Sequence, residues 1–568
     1  MKKLIPILMI TAACSTLQAQ NLTPAQKDSD FRYLANLYAT YYAPVDWKKQ
    51  LLNFDVLSIK PWLDRVAATK TDLDFYEICV EYVASLQDTH DTFRLPSDFV
   101  ARLGFTADVY DGVLLMDSFN RTLLPASKYP FTTGDEFVSL DGVPVTQLLT
   151  DFTKYADGAH ANPGSAKRLA AARITIRPQA IMPHATDVLG KSATVVVRRQ
   201  NGNVETYTIP WSTTGTPLEV GPTLSPKVMS RSAKAASDDQ PDYMAELLAL
   251  QWSGVTSDDE GLNGYGSLTP VFLNSLPNFA FTRRLGANAS DFFYSGTFKY
   301  FELTIGYIRV PTYDPSSQPA ALAQLDQELA YMRANTDGLI IDEMRNPGGQ
   351  LCYGESIATR LVDHPFRATG FQLRPYWGRV VAFYNSLLSA EAGGASQEIV
   401  DQYTLLLNAM VSANQQGRLV TDSLPVCSSS LIRNPASTAY TKPKMLLVDE
   451  FSTSTADSVA GMLQDSGSVV LFGKRTMGAG GNNSFGVVGS TVEAGPFSEG
   501  TAGLTLALMT RQRGRVATGY PFTDYIENVG VWPEIPVDYM TKDNLLQSGA
   551  PFVSAFLQHM AAEIRARK

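Results

Sequence analysis

The sequence has 568 residues, more than one hydrophobic core accommodates, so we expect three or four domains. Hydrophobic residues make up 45% and charged residues 18% of the chain, as in ordinary globular proteins. The 47 basic and 56 acidic residues give a formal net charge of −9, and we find no basic run suited to a phosphate backbone. The composition therefore argues against nucleic acid as a partner.

The first 19 residues have the pattern of a secretory signal peptide. Two lysines precede a short apolar run and several small residues. This run is too short to span a membrane, and no other stretch approaches that length. Cleavage after Ala19 and lipidation of Cys14 are both open, and we favour cleavage because Thr11 stands where a lipoprotein signal usually has leucine. We expect an exported, periplasmic or secreted protein without a membrane span.

Three further cysteines, Cys79, Cys352 and Cys427, are far apart and have no neighbouring histidines. This spacing argues against a zinc site. One disulfide and one free thiol are open to an exported protein, but we favour three buried free thiols. We expect no metal and no cofactor.

The region of residues 20–99 is predicted to form an N-terminal helical domain. Apolar residues recur at helical spacing over residues 28–40, 46–68 and 72–85. His90 lies among polar residues just after the last of these segments. A histidine in such a place is commonly a helix cap or a solvated loop residue.

Residues 100–215 contain short β-like runs, a tight Asp141-Gly142 turn, and a long insertion at 155–189. The pattern resembles a PDZ domain. In that family a loop, here Leu103-Gly104-Phe105, presents backbone N–H groups to the terminal carboxylate of a peptide that adds as a strand. A plain β-sandwich module is the alternative. Residues 216–299 read as a linker or insert region, to which we assign no chemistry.

Residues 300–568 have an α/β pattern with a long insertion at about 363–437. Within it, residues 445–448 predict a strand and residues 455–463 a helix, with Ser452, Thr453 and Ser454 between them. A serine at this place is ordinarily an N-cap. The same helix start also favours negative charge, so a serine nucleophile held there would have an oxyanion site beside it. This stretch alone leaves both interpretations open.

Four separated segments resemble, in order, the C-terminal processing (tail-specific) and tricorn-like serine peptidases of family S41; they are residues 341–349, 448–457, 473–478 and 527–534. The resemblance implies an α/β fold with a ClpP/crotonase-like spiral β-sheet core, beside the helical and PDZ-like domains. It places Ser454 on the family nucleophile. It also implies oxyanion donors at Thr455 and at the turn of Gly348 and Gly349.

The chain departs from the Ser-Lys branch of that family. Ala479 stands where those relatives have the catalytic lysine, and Lys474 falls on a non-catalytic position. The tricorn-like branch instead uses a hydroxyl residue next to a histidine and a late glutamate, and Thr89, His90 and Glu527 fall on those positions. The resemblance therefore implies His90 as general base, oriented by Thr89 or Glu527.

We thus expect an exported serine endopeptidase that hydrolyses polypeptides through an acyl-enzyme, with a polypeptide substrate that the PDZ-like region binds by its C-terminus. Two other functions stay open. One is a catalytically inactive peptide- or lipophile-binding protein on the same scaffold, since the family lysine is missing. The other is an esterase with the same Ser-His pair. Ser452 is a second candidate for the functional hydroxyl.

Overall fold

The structure of the protein is a computed structural model that describes residues 21–218, 221, 231–232, 241–255, 264–484, 491–515 and 517–567. The predicted signal peptide, with Cys14, lies outside the described residues. Among the helices that are described, none is both long enough and apolar enough to cross a membrane.

Four helices lie in the N-terminal part of the described chain: α1 (Pro24–Tyr41), α2 (Val45–Leu52), α3 (Lys60–Ala68) and α4 (Asp72–Ala84). Residues 46–68, which have apolar residues at helical spacing, form the two helices α2 and α3. The chain leaves α2 at Asn53, which adopts φ 53°, a left-handed conformation that ends a helix. After α4 comes the short strand β1 (Phe93–Arg94).

An antiparallel sheet with strand order β3-β4-β5-β8-β9 forms the centre of the next region, and β6 pairs with β5. The region contains β2 (Val100–Arg102), β3 (Phe105–Tyr110), β4 (Val113–Phe119), β5 (Glu136–Leu140), β6 (Val143–Pro144), α5 (Val145–Asp151), α6 (Pro163–Thr175), β7 (Ile176–Pro178), β8 (Ser192–Arg198), β9 (Val204–Pro210) and β10 (Ser212–Thr214). The insertion supplies α6, which packs against the edge strand β3. Arg168 on α6 donates from Nε and Nη2 to Asp108 Oδ2 at 2.9 and 2.8 Å.

A mixed seven-stranded sheet with the order β13-β14-β15-β16-β21-β22-β28 forms the core of the following region. The first half of this region contains β11 (Arg231–Ser232), α7 (Ala245–Gln251), β12 (Trp252–Gly254), β13 (Phe281–Leu285), β14 (Tyr294–Tyr300), β15 (Leu303–Arg309), α8 (Gln318–Asn335), β16 (Gly338–Asp342), β17 (Gly348–Gln350) and α9 (Leu351–Leu361). Within this sheet, the neighbouring strands β15, β16, β21, β22 and β28 run parallel. Such strands are buried on both faces, which explains the continuous apolar run in β21.

Alternate residues of the parallel strands enter two different cores. Leu446 and Val448 pack with α8, α9 and α12 on one face, while Met445 and Leu447 pack with α14 on the other. The second half of the region contains β18 (Phe366–Arg367), β19 (Gly370–Leu373), α10 (Trp377–Ala392), α11 (Gln397–Gln415), β20 (Ile432–Arg433), β21 (Lys444–Val448), α12 (Thr455–Ser466), β22 (Val470–Gly473), β23 (Gly481–Asn482), β24 (Thr491–Glu493), β25 (Thr501–Ala502), β26 (Ala507–Arg515), β27 (Thr523–Tyr525), β28 (Ile535–Pro536), α13 (Lys542–Leu546) and α14 (Ala550–Ala566).

A disulfide between Cys352 and Cys427 ties the start of α9 to the end of the insertion. The Cα atoms lie 5.3 Å apart, within the range of disulfides. The prediction of three free thiols was therefore wrong, since folding brings together two cysteines that are 75 residues apart. Cys79 is a buried free thiol on α4.

Candidate active site

The turn between β21 and α12 presents a serine in an unusual backbone conformation. Ser454 directly precedes α12 and has φ 62° and ψ −107°. An ordinary N-cap serine is extended, and a residue with a side chain adopts positive φ only where the surroundings hold it. The Asp457 carboxylate supplies part of that support, because Oδ2 accepts the Ser454 N–H at 2.7 Å.

His90 lies directly beside this serine. Its Nε2 is 2.9 Å from Ser454 Oγ, although the two residues are 364 positions apart in sequence. Both side chains are buried, with exposures of 1% and 0%. Burial lowers the pKa of His90 to about 4, against the opposing effect of Asp88. The imidazole is therefore neutral at physiological pH and able to accept a proton from the serine.

The loop around His90 is fixed by Asp88, which the sequence analysis did not single out. Asp88 Oδ1 accepts the backbone N–H of His90 at 2.9 Å, and Oδ2 accepts the Tyr42 hydroxyl at 2.9 Å. His90 Nδ1 is buried and has no hydrogen-bond partner in the described residues. It faces Gly481, where a Cβ atom would lie 3.0 Å from this nitrogen.

The two predicted orienting residues bind other groups. Thr89 Oγ1 accepts the N–H of Ala161 at 3.2 Å. Glu527 Oε1 lies 2.6 Å from Lys48 Nζ, and its Oε2 accepts the N–H of Gly480 at 2.9 Å. Burial, with a smaller effect of Asp88, raises the pKa of Glu527 to about 8. Both residues thus lie near the His90 loop without a hydrogen bond to the imidazole in the described structure.

The two predicted oxyanion glycines lie against the nucleophile turn. Gly348 has φ 85°, and a Cβ on it would come within 2.9 Å of Ser454 Cβ and 2.8 Å of the Thr453 carbonyl oxygen. Gly349 has φ 137°, and its carbonyl accepts the Thr455 hydroxyl at 3.0 Å. Only glycine fits such a close backbone approach at these angles.

One strand at the site was not foreseen. β12 pairs antiparallel with β17, so that Ser253 lies opposite Gly349. Ser253 Oγ hydrogen-bonds Ser454 Oγ and also donates to the Gly481 carbonyl at 2.6 Å. The Thr455 hydroxyl donates to the Ser253 carbonyl at 2.8 Å. No sequence pattern marks Ser253, because its role depends entirely on this long-range strand pairing.

The segment after β22 supplies no lysine to the nucleophile. The Ala479 N–H donates to Asp457 Oδ2 at 3.0 Å, and the Gly478 N–H donates to Asp457 Oδ1 at 2.8 Å. Lys474 instead pairs with Asp538 at 2.9 Å. Ser452 Oγ donates to the Glu343 carbonyl at 2.9 Å, a contact that stabilises the turn.

The predicted carboxylate-binding loop lies between β2 and β3. The Leu103 N–H donates to the Thr175 carbonyl at 3.0 Å, and Phe105 is buried at the start of β3. Gly104 has φ 79°. In this structure α6 therefore already uses one of the amides that the resemblance assigned to a peptide carboxylate.

Comparison with known proteins identifies two domains in this chain. Residues 304–516 match the family model of peptidase family S41, and residues 100–219 match that of a PDZ domain. The chain carries a serine peptidase domain of family S41. This confirms the predicted family, the PDZ domain and the assignment as a serine-type peptidase. The S41 match contains Ser454 but neither His90 nor Glu527, which the rest of the chain contributes.

Two relatives match over most of the chain. A protein of Chlamydia pneumoniae is 23% identical over 589 residues, which cover 92% of this chain and 88% of that protein. A protein of Chlamydia trachomatis serovar D is 23% identical over 603 residues, which cover 95% and 93%.

Two solved structures have the same fold. Mature CPAF superposes with a TM-score of 0.71 at 19% identity and covers 96% of this chain and 98% of its own. Mature CPAF complexed with lactacystin superposes with a TM-score of 0.69 at 19% identity, and the match covers 96% of this chain and 99% of that structure's chain. The predicted α/β peptidase fold with helical and PDZ-like parts is confirmed.

Proposed function

We propose that the protein is an endopeptidase that cleaves polypeptides through an acyl-enzyme on Ser454, with His90 as general base. The observation that carries this proposal is the 2.9 Å contact between His90 Nε2 and Ser454 Oγ in a peptidase domain that has Ala479 at the lysine position. A serine hydroxyl is a weak nucleophile until a neighbouring base takes its proton. The neutral imidazole of His90 meets this requirement.

The proposed reaction has two halves. His90 takes the hydroxyl proton as Ser454 Oγ forms a bond to the scissile carbonyl carbon, and the negative charge on the carbonyl oxygen is stabilised by backbone N–H groups of Gly349 and Thr455. The imidazolium then gives its proton to the leaving amine as the C–N bond breaks. Water attacks the resulting ester with His90 again as base, which releases the acid and restores Ser454.

A polypeptide substrate fits the edge of β17 next to the nucleophile. β12 occupies this edge in the structure, and an extended peptide would take the same position by strand addition. We also propose that the Leu103-Gly104-Phe105 loop binds substrate C-termini, for which a carboxylate would have to replace the Thr175 carbonyl at the Leu103 amide.

An oxidising, extracytoplasmic compartment is the second part of the proposal. The disulfide between Cys352 and Cys427 supports it, because structural disulfides persist mainly outside the reducing cytoplasm. The signal-like first 19 residues support the same location.

Labelling with a fluorophosphonate serine probe tests the mechanism. We expect the purified protein to be labelled at Ser454 and to lose labelling in Ser454→Ala and His90→Ala, while Lys474→Ala is labelled normally. Lactacystin, with which CPAF was solved, provides a second probe. Labelling that survives His90→Ala but is lost in Lys474→Ala would show that the base is wrong.

A binding protein is the second candidate, because Ser454 is 0% exposed and covered by Ser253. A folded wild-type protein that no probe labels, and that binds peptides without cleaving them, would favour this function. Cleavage of small esters but of no unfolded protein would instead favour an esterase.

A further inference from the structure

Lys48, which the sequence analysis did not single out, is fully buried beside Glu527. It stands on α2, and its Nζ donates to Glu527 Oε1 at 2.6 Å, to Asn528 Oδ1 at 2.6 Å and to the Gln87 carbonyl at 3.1 Å. An ammonium group has three N–H donors and no acceptor, so these contacts use all of its donors. Lysine is rarely buried this completely unless it is paired.

The three acceptors lie on two turns that carry candidate site residues. Gln87 is three residues before His90, and Asn528 directly follows Glu527. Gln87 and Asn528 adopt φ 48° and 62°, which residues with side chains keep only where their surroundings hold them. Asn528 Nδ2 also donates to the Gln87 carbonyl at 2.6 Å. Lys48 therefore fastens both turns to each other and to the helical domain.

The same contacts reach the imidazole through the backbone. The second carboxylate oxygen of Glu527 accepts the N–H of Gly480, and the next residue, Gly481, lies against His90 Nδ1. The backbone of Gly481 thus packs against the Nδ1 side of the imidazole. A shift of Glu527 would move Gly480 and Gly481, and with them the backbone that holds the ring beside Ser454.

Charge gives Lys48 a second effect on Glu527. Burial and the nearby Asp88 raise the pKa of Glu527, and Lys48 opposes them. Without the ammonium, the Gly480 N–H alone would oppose burial and Asp88, so the carboxyl group would stay protonated to higher pH. A buried carboxylate without a partner is strongly disfavoured.

We propose that Lys48 is a positioning residue of the catalytic site, which holds Glu527 and the His90 loop in the arrangement that lets His90 take the Ser454 proton. The inference rests on the proposed Ser454–His90 mechanism. Lys48 acts only through its neighbours, because its three hydrogen bonds go to Gln87, Glu527 and Asn528.

The test is the rate of fluorophosphonate labelling of Ser454 as a function of pH in the full chain. Lys48→Met keeps the aliphatic bulk and removes the charge. We expect its rate to fall roughly 100-fold near neutral pH, as for a misplaced catalytic group. The rise in labelling rate that follows Glu527 ionisation should also move to higher pH in Lys48→Met. The difference in rate between the variant and the wild type should therefore become smaller in alkaline solution.

Lys27→Met is the matched control, because Lys27 forms another buried ion pair of the helical domain, with Asp72 at 3.3 Å. It should lower thermal stability and leave the shape of the pH profile unchanged. The double variant Lys48→Met/Glu527→Gln should label at the rate of Glu527→Gln alone, since residues that act through one another are not additive.

Two results would overturn the inference alone: a folded Lys48→Met with the wild-type profile, or a deficit that is equal at every pH. If Lys48→Met does not fold, Lys48→Arg carries the test. In Lys48→Arg, Ser454 should be labelled more slowly than in the wild type, because the geometry of the hydrogen bonds changes. The pH at which the labelling rate rises should stay the same, because the positive charge stays. A wild-type labelling rate in Lys48→Arg would refute the positioning role of Lys48. A wild-type protein that is never labelled overturns the proposed function together with this inference.

Discussion

His90 and Glu527 have pKa values displaced in opposite directions by the same burial, and this predicts an unusual pH profile. Burial lowers the pKa of His90 to about 4 and raises that of Glu527 to about 8. We expect the rate of Ser454 labelling to rise in two steps, near pH 4 as His90 loses its proton and near pH 8 as Glu527 ionises. Glu527→Gln should remove the upper step only. A single step at the ordinary histidine pKa would contradict this prediction.

Asp457 organises the nucleophile turn through four hydrogen bonds. Its buried carboxylate accepts the N–H groups of Ser454, Gly478 and Ala479 and the hydroxyl of Thr476. Asparagine offers one oxygen in place of two, so Asp457→Asn leaves buried donors without an acceptor. We expect the free energy of unfolding to fall by about 1–3 kcal/mol and labelling of Ser454 to slow. Denaturant unfolding of both proteins measures the first effect, and an unchanged midpoint would refute it.

At the scale of elements, Asn482 on β23 holds the α7–β12 segment over Ser454. Its Nδ2 lies 3.0, 3.2 and 2.6 Å from the carbonyl oxygens of Ala249, Leu250 and Trp252. Asn482→Ala removes these bonds, so β12 should leave the edge of β17 more often. We expect a bulky peptide-like probe to label Ser454 severalfold faster, with a smaller change for a compact probe.

Asn414→Ala is the control for that prediction. Asn414 Nδ2 donates to the Pro375 carbonyl at 2.6 Å, and both residues belong to the insertion. Its loss should change neither labelling rate. If both asparagine variants label both probes alike, β12 does not limit access to the nucleophile.

The sequence predicts a site where its residues lie within one local strand–turn–helix segment. The structure has the predicted strand and helix on either side of Ser454, and the resemblance to family S41 drew attention to Gly348, Gly349 and His90. Asp88, Lys48 and Ser253 escaped because each acts through contacts with segments far along the chain. Lys48 and Glu527, for example, are 479 residues apart. Local periodicity carries no information about such pairings.

At the scale of the whole molecule, the disulfide joins the insertion to helix α9, which begins directly after β17, the strand of Gly348 and Gly349. It closes a loop with a sequence separation of 75 residues, for which the chain-entropy relation gives a stabilisation of about 4 kcal/mol. We expect Cys352→Ala/Cys427→Ala to melt at a clearly lower temperature than the oxidised wild type. Cys79→Ala, which removes the free thiol and keeps the disulfide, serves as the control. A reductant should lower the melting temperature of Cys79→Ala but not that of the double variant.

The long separation between Ser454 and His90 has a consequence for the newly made protein. Translation delivers His90 first, Ser454 364 residues later and Glu527 after both. A nascent chain on the ribosome therefore has no paired serine and histidine until most of it has been made. By the mechanism proposed above, a chain that is still being synthesised has no peptidase activity before Ser454 has been added.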